Sequence, residues 1–98
     1  ARALGARMMT EGGSDRSSRL IYGFRQCTSR MPTQQELIVL LRVVDEQLKH
    51  YAEDEQAAQA FVSVGESEPP EELDVKELAA WTAIGNLLLN LDAAIHRS

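Results

Sequence analysis

The sequence has 98 residues, enough for one small domain and too few for two. Its apolar content of 44% is typical of a globular protein, and no run approaches the ~18 apolar residues of a membrane-spanning helix. Cys27 is the single cysteine, which excludes an internal disulfide and any C-x-x-C pair for zinc, an iron–sulfur cluster or c-type haem.

The net charge of −5 is divided unevenly along the chain. Residues 1–30 contain six arginines and two acidic residues, a net charge of +4, whereas residues 31–98 contain four basic and thirteen acidic residues, a net charge of −9. Opposed blocks either attract each other within one fold or steer a charged partner, and the first interpretation is preferred. We expect no nucleic-acid partner, because the chain is acidic overall and its basic block lacks interleaved aromatic residues.

Two helices are predicted before the first proline. Residues 2–10 have apolar residues four apart, and the Gly12-Gly13-Ser14 run ends this helix. Asp15 is placed to cap a second helix that runs to about residue 29. The apolar face of this second helix contains Leu20, Phe24 and Cys27.

A long third helix is predicted after Pro32, since the residue before a proline is driven out of the helical conformation. Thr33 and Glu36 have the spacing of a capping box, which marks the start of this helix. The stretch from 54 to 64 either continues the third helix or forms a short separate one. The core stripe of the third helix consists of Leu37, Leu40, Leu41, Val44, Leu48 and Tyr51.

An acidic, proline-containing loop is predicted at residues 65–73, followed by a last helix that Asp74 caps with Glu77 in the capping-box position. The apolar stripe of this helix contains Leu78, Trp81, Ile84, Leu88, Leu91 and Ile95. The fold class predicted for residues 1–98 is therefore all-α, a small antiparallel bundle of about four helices in one module. The third and last helices form its spine, with Leu37 and Leu41 facing Leu88 and Leu91.

The residue types that usually carry chemistry are present without a catalytic grouping. His50 follows Glu46 by one helical turn, but the usual zinc motif needs a second histidine at that spacing. His96 follows Asp92 by four residues, yet no nucleophile is positioned beside this pair. We expect both histidines to face solvent, no metal or cofactor site in this chain, and no enzymatic activity for the chain alone.

Asn90 is the unusual position in the last helix, because it interrupts a run of leucines. A buried amide is costly unless it is paired, so we expect it to bond to a backbone segment opposite. Gly85 lies one turn earlier and suits close approach of another backbone. The two residues together predict a specific packing point.

Three motifs resemble one known family. They are Phe24-Arg25-Gln26-Cys27, then Arg30-Met31-Pro32-Thr33 with Glu36, then Ala80-Trp81-Thr82 leading to Leu88-Leu89-Asn90-Leu91-Asp92. They resemble the C-terminal end of a large planctomycete-type family whose members join a cytochrome c-like segment to two domains of unknown function. The similarity covers nearly the whole chain, although Ala93 stands where the family usually has glutamate.

The resemblance implies that this chain is the C-terminal piece of a longer exported protein in the periplasm or cell envelope. Haem would belong to the parent protein, since the family's haem-binding segment lies outside this sequence. No established activity comes with the family, so no catalytic residue is transferred to this chain.

Two functional hypotheses follow. The preferred one is a non-catalytic helical packing module of a larger cytochrome-associated protein or assembly, which packs on the rest of its parent or on neighbouring subunits. The alternative is an accessory domain of an envelope enzyme or electron-transfer complex. The residues expected at packing or interface positions are Phe24, Cys27, Arg30, Trp81, Gly85, Asn90 and Asp92.

Overall fold

The computed structural model describes residues 2–63 and 73–95, with side chains described for residues 2–63 and 73–91. Over these ranges the chain forms five α-helices and no strand: α1 (Arg2–Glu11), α2 (Arg16–Thr28), α3 (Gln34–Ala52), α4 (Glu55–Ser63) and α5 (Val75–Ile95). The predicted all-helical class is confirmed, whereas the count of about four helices is one short. The loop predicted at 65–73 lies outside the described residues except for Leu73.

The extra helix arises because the chain ends α3 and starts again at Asp54. The Asp54 side chain accepts a hydrogen bond from the amide of Ala57 at 3.0 Å, and its carbonyl accepts from the amide of Ala58 at 3.2 Å. These are the interactions of an N-cap, which satisfies amides that a new helix leaves without partners. Residues 55–63 therefore form a separate helix, the second of the two options that the sequence left open.

The caps predicted for α2 and α3 are confirmed. The Asp15 carboxylate accepts hydrogen bonds from the Ser18 hydroxyl at 2.7 Å and from the Ser18 amide at 3.1 Å. The hydroxyl, followed by the amide, lowers the pKa of Asp15. At α3, Thr33 Oγ1 accepts from the Glu36 amide at 3.1 Å, and Glu36 Oε1 accepts from the Thr33 amide at 2.8 Å. Both halves of the capping box are thus present, and α3 begins where the sequence places it.

Helix α5 is the central element, because it packs against each of the other four helices. Early residues of α3 lie beside late residues of α5, and late residues of α3 beside early ones of α5, so the predicted antiparallel pair is confirmed. The main core contains Met8, Leu20, Phe24, Leu40, Val44, Trp81, Ile84 and Leu88. Leu37, Leu41 and Leu91 are partly buried against this core, and a smaller cluster contains Ala58, Val62, Leu78 and Ala79.

Helix α1 approaches α5 closely at Gly5. A Cβ atom placed on Gly5 would lie 2.8 Å from the backbone nitrogen of Thr82 and 2.9 Å from its Oγ1. Atoms of this kind do not come so near a real Cβ, so only glycine permits the observed separation of the two helices. The hydroxyl of Thr82 is buried and has no hydrogen-bond partner among the described residues.

The two charge blocks of the sequence attract each other within the fold. Arg16 pairs with Asp45, Arg19 with Glu77 at 3.4 Å, and Arg30 with Glu36 at 3.0 Å. Each pair joins an arginine from the first thirty residues to a carboxylate from the acidic remainder. The preferred interpretation of the charge pattern, self-complementation, is confirmed for these three pairs.

Candidate functional site

An apolar groove runs between α3 and the second half of α5. Its volume is about 450 Å³. The apolar residues that line it are Phe24, Val39, Leu40, Val43, Leu87 and Leu91. The polar lining residues are Gln35 and Glu36, at the start of α3. The surface is thus almost wholly hydrocarbon, a type of lining that favours recognition through shape and apolar contact.

Val39 is the most open apolar residue of the groove, with 55% of its surface exposed. Its neighbour Leu40 is 6% exposed, because successive helical residues are rotated by ~100° and only Leu40 faces the core. Val43 follows Val39 by one turn and shares its side of the helix. Val39 and Val43 form a second apolar stripe on α3 beside the core-facing stripe.

The other open apolar side chains of α3 and α5 do not extend the groove. Ile38 is 53% exposed and Leu89 is 46% exposed. The ~100° rotation per residue places Ile38 on the opposite side of α3 from Val43, and Leu89 on the opposite side of α5 from Leu87 and Leu91. Single exposed apolar residues of this kind are normal for protein surfaces.

Arg30 contacts two of the residues that line the groove, Phe24 and Glu36. Its guanidinium lies 4.9 Å from the centre of the Phe24 ring, within cation–π range. The same group donates to both oxygens of Glu36, Nη1 to Oε1 and Nη2 to Oε2, each at 3.0 Å. This bidentate contact, with help from the Thr33 amide, lowers the pKa of Glu36 from 4.5 to about 2.

The predicted packing residues divide between the groove and the core. Phe24 lines the groove, and Arg30 lies against its ring. Cys27 is partly buried against the main core, while Trp81 and Gly85 are buried within α5. The side chain of Asp92 lies outside the described residues.

The expectation of a buried, paired amide at Asn90 is wrong. The residue is exposed in the second half of α5. It follows the buried Leu88 by two positions, a rotation of ~200° that points its side chain away from the core. A run of leucines covers several sides of a helix, so Asn90 can interrupt that run without facing inward. Its role at an interface stays a prediction.

The chemical groups singled out in the sequence do not form a site in the described part of the chain. His50 is exposed near the end of α3, as expected, and its ring meets that of Tyr51 edge-on. Across residues 2–63 and 73–91, histidine, cysteine and carboxylate side chains form no group of three that could hold a metal ion. His96 lies outside these ranges.

Among the helices described, none is long and apolar enough to cross a membrane.

Sequence reasoning missed Val39 and Val43 as site residues, although a signal was present. Residues 37–41 are five consecutive apolar residues. A helix that faces one core needs only about three or four apolar residues in every two turns, so a continuous run indicates a second apolar side. Gly5 was also missed, and its signal was a glycine inside a helical segment, which is unfavourable without a packing reason.

Comparisons of the chain with models of known protein families, with curated proteins and with solved structures found no match in any of the three.

Proposed function

We propose that this chain is a non-catalytic helical packing module that receives an amphipathic helix in the groove between α3 and α5. The occupant comes from the remainder of the parent protein or from a neighbouring subunit. The observation that carries the proposal is the continuous apolar lining of the groove, with Val39 more than half exposed in its wall.

Apolar contact is the driving force that this groove offers. Each Å² of apolar surface removed from water contributes ~25 cal/mol, and the lining has few polar groups that desolvation would penalise. Helices α3 and α5 run side by side and form the two walls of the groove. A third helix can pack a ridge of its side chains between these walls. The recognition mode is therefore a helix in a groove, read by side chains at spacings of three and four residues.

The resemblance noted in the sequence supports a larger setting for this module. In that setting the parent is an exported, cytochrome-associated protein of the cell envelope, and haem is bound by a different segment of the parent. The present chain contributes packing surface. Its groove then holds a helix of the parent or of an adjoining subunit in a fixed position.

The proposal can be tested by photo-crosslinking in the full-length parent protein. A photoreactive amino acid at Val39 should crosslink to a helical segment elsewhere in the parent or in a partner subunit, which mass spectrometry would identify. The same amino acid at Gln59, which is exposed on α4 away from the groove, serves as the matched control. Equal or absent crosslinking at the two positions would refute the proposal.

A second arm separates docking from the integrity of the fold. With the photoreactive group at Val43, which also lines the groove, a Val39→Asp substitution should abolish the crosslink because it places a charge in an apolar contact. Gln59→Asp adds the same charge on α4 and should leave the crosslink intact. Circular dichroism of both variants should match that of the natural protein, since both positions are exposed.

A further inference from the structure

A second concave region lies on the opposite side of α3 from the groove. It is a cleft of about 530 Å³ between the start of α2, the end of α3 and the start of α5. Its lining includes four cationic side chains and two carboxylates: Arg16, Arg19, Lys49, Lys76, Asp45 and Glu77. The cleft thus has far more polar surface than the groove, and its lining charges sum to a positive value.

Among the residues whose side chains are described, the ion pairs of the cleft do not include its two lysines. Arg16 pairs with Asp45, and Arg19 pairs with Glu77, so both lining carboxylates already have an arginine partner. Lys49 and Lys76 make no ion pair with any residue whose side chain is described. Two ammonium groups that share one concavity attract a multivalent anion more strongly than isolated surface lysines do.

The nearby capping carboxylates do not cancel this charge within the cleft. Asp15 and Asp74 are absent from its lining, and their carboxylates accept hydrogen bonds from the amides of Ser18 and Glu77. These contacts hold the two acids at the helix ends that they cap. Arg16 and Arg19 are likewise held by carboxylates. Lys49 and Lys76 are therefore the cationic side chains of the cleft that can move to contact a ligand.

Trp81 provides a second, independent observation at the same place. It lines the cleft and is 1% exposed, and its indole N–H is buried with no hydrogen-bond acceptor among the described residues. A buried donor without an acceptor costs about 1–3 kcal/mol, so such groups call for an explanation. Trp81, whose indole donor has no acceptor among the described residues, thus forms part of the wall of the cleft that Lys49 and Lys76 also line.

We propose that this cleft binds a small phosphate-bearing ligand through Lys49 and Lys76. Lysine acts as a mobile point charge suited to a tetrahedral phosphate group, whereas the guanidinium groups of Arg16 and Arg19 already pair with Asp45 and Glu77. The cleft volume lies within the range of small-molecule sites. Ser14 also lines the cleft and adds a hydroxyl donor.

The test uses the natural fluorescence of the protein, because Trp81 is its single tryptophan. Pyrophosphate is titrated into the full chain at constant ionic strength, with chloride as the reference salt, while emission and the indole ¹H–¹⁵N resonance are followed. We expect a saturable change in both signals. A change that rises linearly with pyrophosphate, or that chloride reproduces, would overturn the proposal.

A matched pair of double variants assigns the site. Lys49→Gln with Lys76→Gln should weaken pyrophosphate binding by about tenfold or more, because both lysine charges of the cleft are lost. Arg7→Gln with Arg25→Gln removes the same total charge from exposed positions outside the cleft and should leave the affinity within about twofold. Equal weakening in both pairs, or unchanged affinity in the lysine pair, would overturn the assignment. Neither outcome bears on the crosslinking from Val39.

Discussion

The guanidinium of Arg30 holds the carboxylate of Glu36 through two parallel hydrogen bonds of 3.0 Å, across a proline turn that separates α2 from α3. The same arginine covers the Phe24 ring. One side chain thereby connects the Phe24 ring on α2 with the first turn of α3, and both of its contacts are to residues that line the apolar groove. A charged pair at the surface therefore bridges the turn between α2 and α3.

This pair predicts how acid affects stability. The folded-state pKa of Glu36 lies at about 2, below its ordinary value of 4.5, so the stabilisation from this carboxylate is complete above 4.5 and is lost as the pH falls towards 2. The variant Glu36→Gln lacks the titrating group. We therefore expect the melting temperature of the natural protein to exceed that of the variant at neutral pH and to converge with it near pH 2.

The contribution of Arg30 can be measured separately. In Arg30→Gln the pKa of Glu36, followed by NMR, should rise from about 2 because the contact with the largest effect on it is gone. Arg42→Gln, which removes an exposed arginine elsewhere on α3, should leave that pKa unchanged. For the Glu36→Gln comparison, a melting-temperature difference that stays constant from neutral pH down to pH 2 would contradict the proposed coupling between the Glu36 pKa and stability.

The backbone conformation of Ser29 indicates that a glycine at this position would stabilise the protein. It ends α2 in the left-handed conformation with φ of 61°, which costs a residue other than glycine roughly 1–2 kcal/mol. Ser29→Gly removes that strain and should raise the free energy of unfolding by about 0.5–1 kcal/mol, measured by urea denaturation. Ser17→Gly, inside α2, should give no gain, since glycine is unfavourable in a helix. Equal effects at both positions would be inconsistent with strain at Ser29.

Gly5 in α1 and Gly23 in α2 both pack closely against other residues, but alanine substitutions at the two positions should lower stability by different amounts. A Cβ at Gly5 would meet the backbone of Thr82, whereas a Cβ at Gly23 would meet the side-chain atoms Met8 Sδ and Leu88 Cδ1. Side-chain ends can move aside, but backbone atoms of a packed helix cannot. Gly5→Ala should therefore lower the free energy of unfolding by a net ~1–2 kcal/mol, and Gly23→Ala by less, in parallel urea titrations. A larger loss at Gly23 would show that backbone contact is not the decisive factor.

Two valines of α3 distinguish the core from the groove. Val44 is fully buried, and Val39 is 55% exposed. Val44→Thr puts a hydroxyl into the core and should cost about 1–3 kcal/mol of unfolding free energy, whereas Val39→Thr should change it by no more than about 0.5 kcal/mol. Thermal or urea unfolding of the isolated chain would check both values. A large loss at Val39 would mean that the groove wall is part of the core and not a docking surface.

Much of the fold was predictable because its determinants are local. The caps at Asp15 and Thr33 act through amides within three residues, so the starts of α2 and α3 follow directly from the residue types. The core position of Leu40 and Val44 follows from helical spacing. The sequence left open whether a new helix begins at Asp54, because the spacing of apolar residues after it is equally consistent with a continuation of α3.

The sequence by itself determined that this chain is helical, where most of its helices begin, and which stripe of each long helix is apolar, since these properties depend on neighbours in the chain. Only the tertiary structure decided that one wall of α3 at Val39 stays uncovered, that Gly5 touches Thr82, and that Asn90 faces outward. Each of these depends on where α5 and the other helices lie around a residue. Burial is a property of the assembled bundle, and no spacing along one helix specifies how much of its surface the others cover.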